Sequence, residues 1–139
     1  MPVYSASIPV KTRGDCHIVD LTRPLQERVL ASGIKTGIAL VFVPGSTAGI
    51  TTIEFEPGLL EDLPELFERL APSDARYHHD DTWHDGNGHS HVRAALLGPS
   101  LALPVDDGRP ALGTWQQVVL VDFDNRARSR DVLVRVVGE

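Results

Sequence analysis

Apolar and polar residues alternate along several short stretches of the chain, a pattern typical of strands that bury one face. Residues 3–10 alternate in this way, and a second short stretch runs from 16 to 20. Residues 37–43 are almost wholly apolar and rich in β-branched side chains, which predicts a central strand covered on both faces. Further strands are predicted at 48–55, 101–105, 114–123 and 132–137, with Trp115 buried in the core.

Two other segments carry apolar residues at the spacing of an amphipathic helix. The first begins near Thr22 and is predicted to end at Gly33, which tolerates the left-handed conformation. Its buried face is predicted to consist of Leu25, Val29 and Leu30. The second helix begins near Asp62. About seven to nine mostly antiparallel strands and two short helices predict a sheet-dominated α+β fold, formed as a single domain over residues 1–139.

The composition limits the classes of function. Apolar residues make up 42% of the chain and charged residues 23%, so we expect an ordered globular protein. The net charge of −6 and the absence of a Lys/Arg run argue against nucleic-acid binding. Cys16 is the only cysteine, which excludes an intrachain disulfide and fits a reducing compartment. The chain has no apolar run of about 18 residues, the length that would predict a membrane span. We therefore expect a cytoplasmic protein.

Five of the six histidines lie within residues 77–91, which we call the histidine turn. Asp85-Gly86 and Asn87-Gly88 are turn dipeptides that separate two arms. If the second arm leaves the turn as a strand, His89 and His91 share one face and can reach the same ion as His79 on the first arm. The sequence thus predicts a divalent metal site, for Zn or Mg, with His79, His89 and His91 as ligands. The alternative is a polar, solvated loop.

Two further features concern ligand binding. Arg126, Arg128 and Arg130 alternate, so on a strand they would present three guanidinium groups to an anion, or keep an exposed edge soluble. The small residues at 45–49 would let a ligand approach backbone N–H groups. Glu54 follows an apolar stretch and is either a buried acid or an ordinary outward-facing residue.

A series of short motifs runs in order through nearly the whole chain. The motifs are Ser46-Thr47-Ala48, Glu54, His79, Asp85-Gly86-Asn87-Gly88-His89-Ser90-His91, Gly98-Pro99-Ser100, Pro104, Gly108, Leu112-Gly113-Thr114-Trp115-Gln116 and Arg128 with Arg130. In this order they resemble the YjbQ-like family, whose members are described as secondary thiamine-phosphate synthases. The resemblance implies a compact sheet-rich domain, a homotrimer and a small phosphorylated substrate.

The resemblance also implies which polar residues form the site. We assign catalytic roles to Glu54, His79, Asn87 and His91. We assign substrate contacts to Ser46, Thr47, Ser100, Gln116, Arg128 and Arg130. Many members of the family have His-Thr-Thr-Ala where this chain has Gly45-Ser46-Thr47-Ala48, so either His89 replaces the missing histidine or the chemistry differs.

Two classes of function remain open from the sequence. The first is an enzyme that uses a divalent ion and arginines to stabilise charge developing on a phosphorylated substrate. The second is a metal- or small-ligand-binding protein without catalysis. Both need the same ligands, so a pocket beside the ion is the feature that separates them.

Overall fold

The computed structural model describes residues 1–139, and the chain folds into eight strands and four helices. Every strand pair is antiparallel, so the predicted sheet-dominated α+β fold is confirmed. The elements are β1 Val3–Thr12, β2 His17–Asp20, α1 Thr22–Ala31, β3 Thr36–Phe42, β4 Ala48–Ile53, α2 Pro57–Leu70, α3 His78–Trp83, α4 Gly88–Leu97, β5 Ser100–Asp106, β6 Arg109–Pro110, β7 Gln117–Asp122 and β8 Arg128–Gly138.

The strands form two sheets, in the orders β1-β8-β3-β5-β6 and β2-β7-β4. The main core lies between their inner faces, where Val132, Val134 and Val136 of β8 join Val118 and Leu120 of β7. A smaller cluster covers the other face of β7, with side chains from α2 and α4. The layers are therefore the large sheet, the small sheet and then α2 and α4, with β7 buried on both sides. Helix α1 packs into the main core through Leu25 and Val29.

The prediction that residues 37–43 form a strand covered on both faces is wrong for the single chain. Ala39 and Val41 of β3 are fully buried, but Ile38 is 57% exposed and Leu40 is 39% exposed. The outer face of the large sheet has no covering helix within the chain, and its apolar residues on β3 face outward. An apolar run shows that both faces are hydrophobic, but it does not show what covers each face.

The two predicted helices are present, with differences at their ends and faces. Leu25 and Val29 of α1 are fully buried as predicted, but Leu30 is 65% exposed, which corrects its assignment to the core. Helix α2 begins at Pro57, ahead of the predicted Asp62, because the Glu56 carboxylate accepts hydrogen bonds from the first free N–H groups of the helix.

The second arm of the histidine turn is part of helix α4, so the condition that this arm is a strand is not met. The first arm of the turn also contains a helix, α3, which the sequence did not predict. In a helix His89 and His91 are 200° apart, so their side chains cannot share one face. The three-histidine ligand set depended on that strand and loses its geometric basis.

Trp115 is also misassigned, because 74% of it is exposed and it precedes the first residue of β7. Phe123, at the other end of that strand, is fully buried and packs edge-to-face on Phe67 with ring centroids 4.8 Å apart. Helices α1 and α4, of ten residues each, and the shorter α3 lie over or beside the sheets. None of the helices is both long and apolar enough to cross a membrane.

The two aromatic residues give a paired test of this packing. We expect Phe123→Ala to lower the free energy of unfolding by about 3–5 kcal/mol, because it removes a large side chain from the core. Trp115→Ala should change it by less than about 0.5 kcal/mol in the monomer, as for an exposed position. Urea unfolding of both variants followed by circular dichroism measures the difference. A loss from Trp115→Ala as large as that from Phe123→Ala would contradict the packing described.

Candidate metal-binding site

The histidine turn is a helix–turn–helix, in which α3 carries His79 and α4 carries His89 and His91. His84 ends α3 in the left-handed conformation, with φ of 56°, and reverses the chain. The reversal stacks the imidazoles of His79 and His91 with ring centroids 4.2 Å apart. Two of the three predicted histidine ligands therefore do come together, although they lie on helices.

Two carboxylates complete this cluster. Potential ligand atoms of His79, Asp80 and Asp85 all lie within 4.8 Å of one another. The Nδ1 atom of His79 is 3.6 Å from Oδ1 of Asp80 and 3.7 Å from Oδ1 of Asp85, and it is buried without a hydrogen-bond partner. An unpartnered imidazole nitrogen facing two carboxylates is a donor set that fits a divalent ion. The ligand set predicted from the sequence consisted of histidines alone, although Asp80 and Asp85 lie within the same segment.

His89 lies apart from this group in a buried position. Its residue is 6% exposed, and its Nδ1 atom has no hydrogen-bond partner. Burial lowers the pKa of His89 below its ordinary value, and the nearby Arg93 guanidinium lowers it further. The ring is therefore neutral at pH 7. Its unpaired Nδ1 atom could bind a metal ion, and the role of His89 as a ligand stays a prediction.

The turn between the two helices is fixed to the loop that joins β7 and β8. The Asn87 side-chain oxygen accepts a hydrogen bond from the Asn125 N–H at 3.1 Å, and the Asn125 side chain donates to the Asp85 carbonyl at 2.7 Å. The Asp80 carboxylate accepts the Gly88 N–H at 3.0 Å, which ties α3 to the start of α4. Asn87 is thus a buried residue that positions the cluster, while its predicted catalytic role stays untested.

Beneath this turn lies a buried network of charges. Arg130, whose side chain is 5% exposed, donates to both Asp122 oxygens at 2.9 and 3.0 Å and to the Thr47 hydroxyl at 2.7 Å. The Thr47 hydroxyl donates to Asp124 at 2.9 Å, and Arg128 donates to the same carboxylate at 2.8 Å. Of the two alternatives for the arginines, an exposed edge does not apply to Arg130, which is buried and paired.

The network also shifts the ionisation of its acids. Burial opposes the charge of Asp122, but hydrogen bonds from Arg130, Thr12 and the Asp124 N–H outweigh it and lower its pKa. Burial likewise opposes the charge of Asp124, and its hydrogen bonds, chiefly from Thr47, hold its pKa below the ordinary value. Both carboxylates are ionised at neutral pH and neutralise the two arginines. Arg128, with 34% of its side chain exposed, is the arginine of the pair that solvent reaches.

Two of the remaining predicted residues, Glu54 and Gln116, do not meet the histidines within one chain. Glu54 is exposed just beyond the end of β4, and Gln116 donates from its side chain to Thr52 near the same end. The histidine cluster lies nearer the other end of this strand, where His91 and Ala48 line the same depression. Ser46 and Ser100 are exposed, with Ser46 close to His91.

Comparisons with known proteins agree with this fold. The family described as "UPF0047 protein YjbQ-like" matches residues 6–139. A UPF0047 protein of Archaeoglobus fulgidus is 38% identical over 130 residues, which cover 94% of this chain and 98% of that protein. One from Methanothermobacter thermautotrophicus is 37% identical over 139 residues, covering 100% of this chain and 95% of the relative.

Solved structures give the same result at the level of the backbone. A YbjQ-like protein from Sulfolobus solfataricus P2 superposes with a TM-score of 0.94 and 36% identity, over 99% of each chain. A protein from Aeropyrum pernix K1 superposes with a TM-score of 0.89 and 33% identity, over 97% of this chain and 98% of that chain. On both sequence and fold, the chain belongs to the UPF0047 (YjbQ-like) family.

Proposed function

We propose that this protein is a metal-assisted enzyme acting on a small phosphorylated metabolite. The observation that carries the proposal is the group formed by His79, Asp80 and Asp85, with His91 stacked on the first of them. The first reaction to test is the one that the family resemblance implies, in which a thiazole phosphate nitrogen attacks the carbon of a pyrimidine pyrophosphate and pyrophosphate departs.

The donor set favours a zinc-like ion over magnesium. Imidazole suits Zn, Ni and Fe, whereas Mg²⁺ binds mainly through oxygen atoms and water. His79, Asp80 and Asp85 would hold the ion, and His91 is close enough to His79 to join them. When bound, such an ion supplies a Lewis acid for the negative charge that develops on a departing phosphate group.

Other residues of the chain would serve the substrate. Arg128 uses only Nη1 in its contact with Asp124, which leaves further guanidinium N–H groups for a phosphate oxygen. His91 is half-buried beside the cluster, a position from which a neutral imidazole can take up a proton. Glu54 would reach this site only if a neighbouring subunit supplied it, because the two lie at opposite ends of β4.

The proposal is tested by metal analysis and by turnover. We expect the purified protein to bind one Zn²⁺ per chain, measured by isothermal titration calorimetry, and to release pyrophosphate from the pyrimidine pyrophosphate when thiazole phosphate is present. Zinc binding without turnover of any phosphorylated substrate would favour a non-catalytic metal-binding protein instead. Absence of zinc binding at neutral pH would remove the basis of the proposal.

We propose further that the chain assembles as a homotrimer, as the family resemblance implies. We also propose that it is cytoplasmic, because a lone cysteine fits a reducing compartment. The outer face of the large sheet supports the assembly, because Ile38 and Leu40 are exposed there beside the half-buried Leu133 and Val137 of β8. An apolar sheet face of this kind is a usual site of subunit contact.

Light scattering tests this assembly. We expect a molar mass of three times the 15.2 kDa of the chain. Ile38→Glu should shift the mass to that of the monomer, because it buries a charge in the subunit contact. Arg69→Glu, at an exposed position of α2 away from the large sheet, is the control and should leave the mass unchanged. A monomeric wild-type protein at micromolar concentration would contradict the proposal.

A further inference from the structure

A depression open to solvent lies between the loop that joins β3 to β4 and one side of α4. Its wall includes the exposed residues Gly45 and Ser46 of the loop and the half-buried His91 of the helix. His91 also stacks on His79, with ring centroids 4.2 Å apart. A ligand that enters the depression from solvent would therefore lie next to an ion held by His79.

The Arg130 guanidinium has one nitrogen that the buried network does not use. Nε and Nη2 donate to Asp122, and Nη2 also donates to Thr47, whereas Nη1 makes no hydrogen bond within the chain. The only fully buried side-chain nitrogens without a partner belong to His79 and His89, so Nη1 is reached by solvent. A side chain that is 5% exposed thus keeps one free N–H group at its accessible end.

Gly45 leaves the approach to this nitrogen open. A Cβ atom built on Gly45 would lie 2.9 Å from Nη1 and would meet no other atom within 4 Å, apart from the two neighbouring residues of the loop. The φ angle of Gly45 is 122°, a conformation that favours glycine. The space above the Gly45 α-carbon is therefore empty, and Nη1 borders it at a distance suited to a hydrogen bond with an oxygen atom.

The loop adds backbone donors beside the guanidinium. The N–H groups of Gly45 and Ser46 donate to no acceptor within the chain, although both residues line the depression. Consecutive free N–H groups in a loop of small residues are a common anion-binding arrangement. A guanidinium N–H group next to them adds a charge-assisted hydrogen bond to an anionic oxygen.

The surrounding charges determine how strong this binding can be. Asp122 and Asp124 balance Arg130 and Arg128, so an anion gains hydrogen bonds more than net attraction. The two hydrogen bonds to Asp122 also hold the guanidinium in place before any ligand arrives, which lowers the entropy cost of binding. Weak, millimolar binding of a single anionic group is the expected result.

We infer that the depression is the subsite for a phosphate group of the substrate, bound by Nη1 of Arg130 and the N–H groups of Gly45 and Ser46. The inference rests on the proposed function and deepens it, because it places the phosphate between the loop and His91, beside the candidate metal ligands. Arg130 then has two roles, with Nε and Nη2 holding the fold and Nη1 holding the ligand.

The test is a titration of the full-length ¹⁵N-labelled protein with inorganic phosphate, followed by NMR in the absence of zinc at constant ionic strength. We expect saturable shifts of the Gly45 and Ser46 amides and of the Arg130 Nη1 resonance, with one millimolar dissociation constant. Acetate is the second probe and should bind at least about tenfold more weakly. Acetate binding as tight as that of phosphate would identify a carboxylate site and overturn the assignment to phosphate.

Two variants of the loop test the individual donors. Ser46→Asp should weaken phosphate binding by at least about tenfold, because its carboxylate repels phosphate and competes for Nη1. Gly45→Ala should do the same by covering Nη1, and Ser46→Asp replaces it if the strained alanine prevents folding. Gln26→Glu adds one negative charge at an exposed position of α1, outside the depression, and should bind phosphate as the wild type does.

Three results would overturn the inference. They are no saturable phosphate shifts in the wild type, loop shifts without a shift of Arg130 Nη1, and unchanged phosphate binding in a folded loop variant. A separate zinc titration distinguishes these failures from failure of the proposed function. Phosphate binding without zinc binding would remove the metal proposal and leave the anion site. Zinc binding without phosphate binding would leave the metal site and refute the phosphate subsite.

Discussion

Replacing Arg130 by alanine is expected to destabilise the fold by about 3–5 kcal/mol, the range for breaking a buried ion pair from one side. The guanidinium donates to both oxygens of Asp122, which is itself fully buried, and Asp124 lies 3.9 Å away. Its removal leaves Asp122 without its arginine, while Asp124 keeps only the partly exposed Arg128. Urea unfolding at neutral pH, followed by circular dichroism, measures the loss.

A matched control and a double variant make this result specific. Arg126→Ala, at an exposed position two residues before Arg128, should change stability by less than about 0.5 kcal/mol. Adding Asp122→Ala to Arg130→Ala should cost less than the sum of the two single changes, because each removes a charge that the other leaves unpaired. If Arg130→Ala proves as mild as Arg126→Ala, the network contributes little to folding.

The fall in the free energy of unfolding at acidic pH depends on the same network. The pKa values of Asp122 and Asp124 are lowered in the folded protein, so their contribution is complete above the ordinary aspartate pKa of about 3.9 and is lost as pH falls through the lowered values. Without Arg130 this loss should begin at a higher pH, because the main hydrogen-bond donor to Asp122 is gone.

The second large effect is expected at His79. His79→Ala should weaken zinc binding by at least about a hundredfold, or ~2.7 kcal/mol, because it removes the only imidazole in the group of ligand atoms. The neighbouring His78 provides a close control, since its side chain is fully exposed on the same helix. His78→Ala should therefore bind zinc as the wild type does in a calorimetric titration.

Two further variants decide between the ligand sets. Asp85→Asn should weaken zinc binding at least about tenfold if the carboxylates are ligands, as the structure suggests. His89→Gln keeps a polar side chain in the buried position and should bind zinc normally. The opposite outcome, with His89→Gln defective and Asp85→Asn normal, would restore the three-histidine set expected from the sequence and refute the aspartate ligands.

The sheets were predictable because alternation along a strand is a local property. Residues 3–10 alternate cleanly between apolar and polar, and the observed strand β1 is only two residues longer, ending at Thr12. The coverage of each face was not predictable, because it depends on distant elements. The run 37–43 and the run of β7 are both apolar, yet only β7 receives helices on its second face. The hydrophobicity of a segment does not show which element covers its second face.

The candidate site was predictable in its composition and not in its geometry. The spacing of His89 and His91 suits a strand, but Asn87 precedes a segment rich in alanine and leucine, which are strong helix formers. Giving that signal more weight would have predicted α4. Arg130 alternates with its neighbours just as an exposed arginine does, and only the packing of the sheet that contains β7 on the sheet that contains β8 brings Asp122 to it.

The hydrogen bonds of the Thr47 hydroxyl have a consequence for recombination between homologous genes. It receives a hydrogen bond from Arg130 and donates one to Asp124, so it acts as one structural unit with two residues that lie 83 and 77 positions further along the chain. A recombination crossover between positions 47 and 124 would take the threonine from one parent and the acid–arginine pair from the other. Chimeras of divergent homologues should therefore tolerate crossovers before position 47 or after position 130 better than those within that interval.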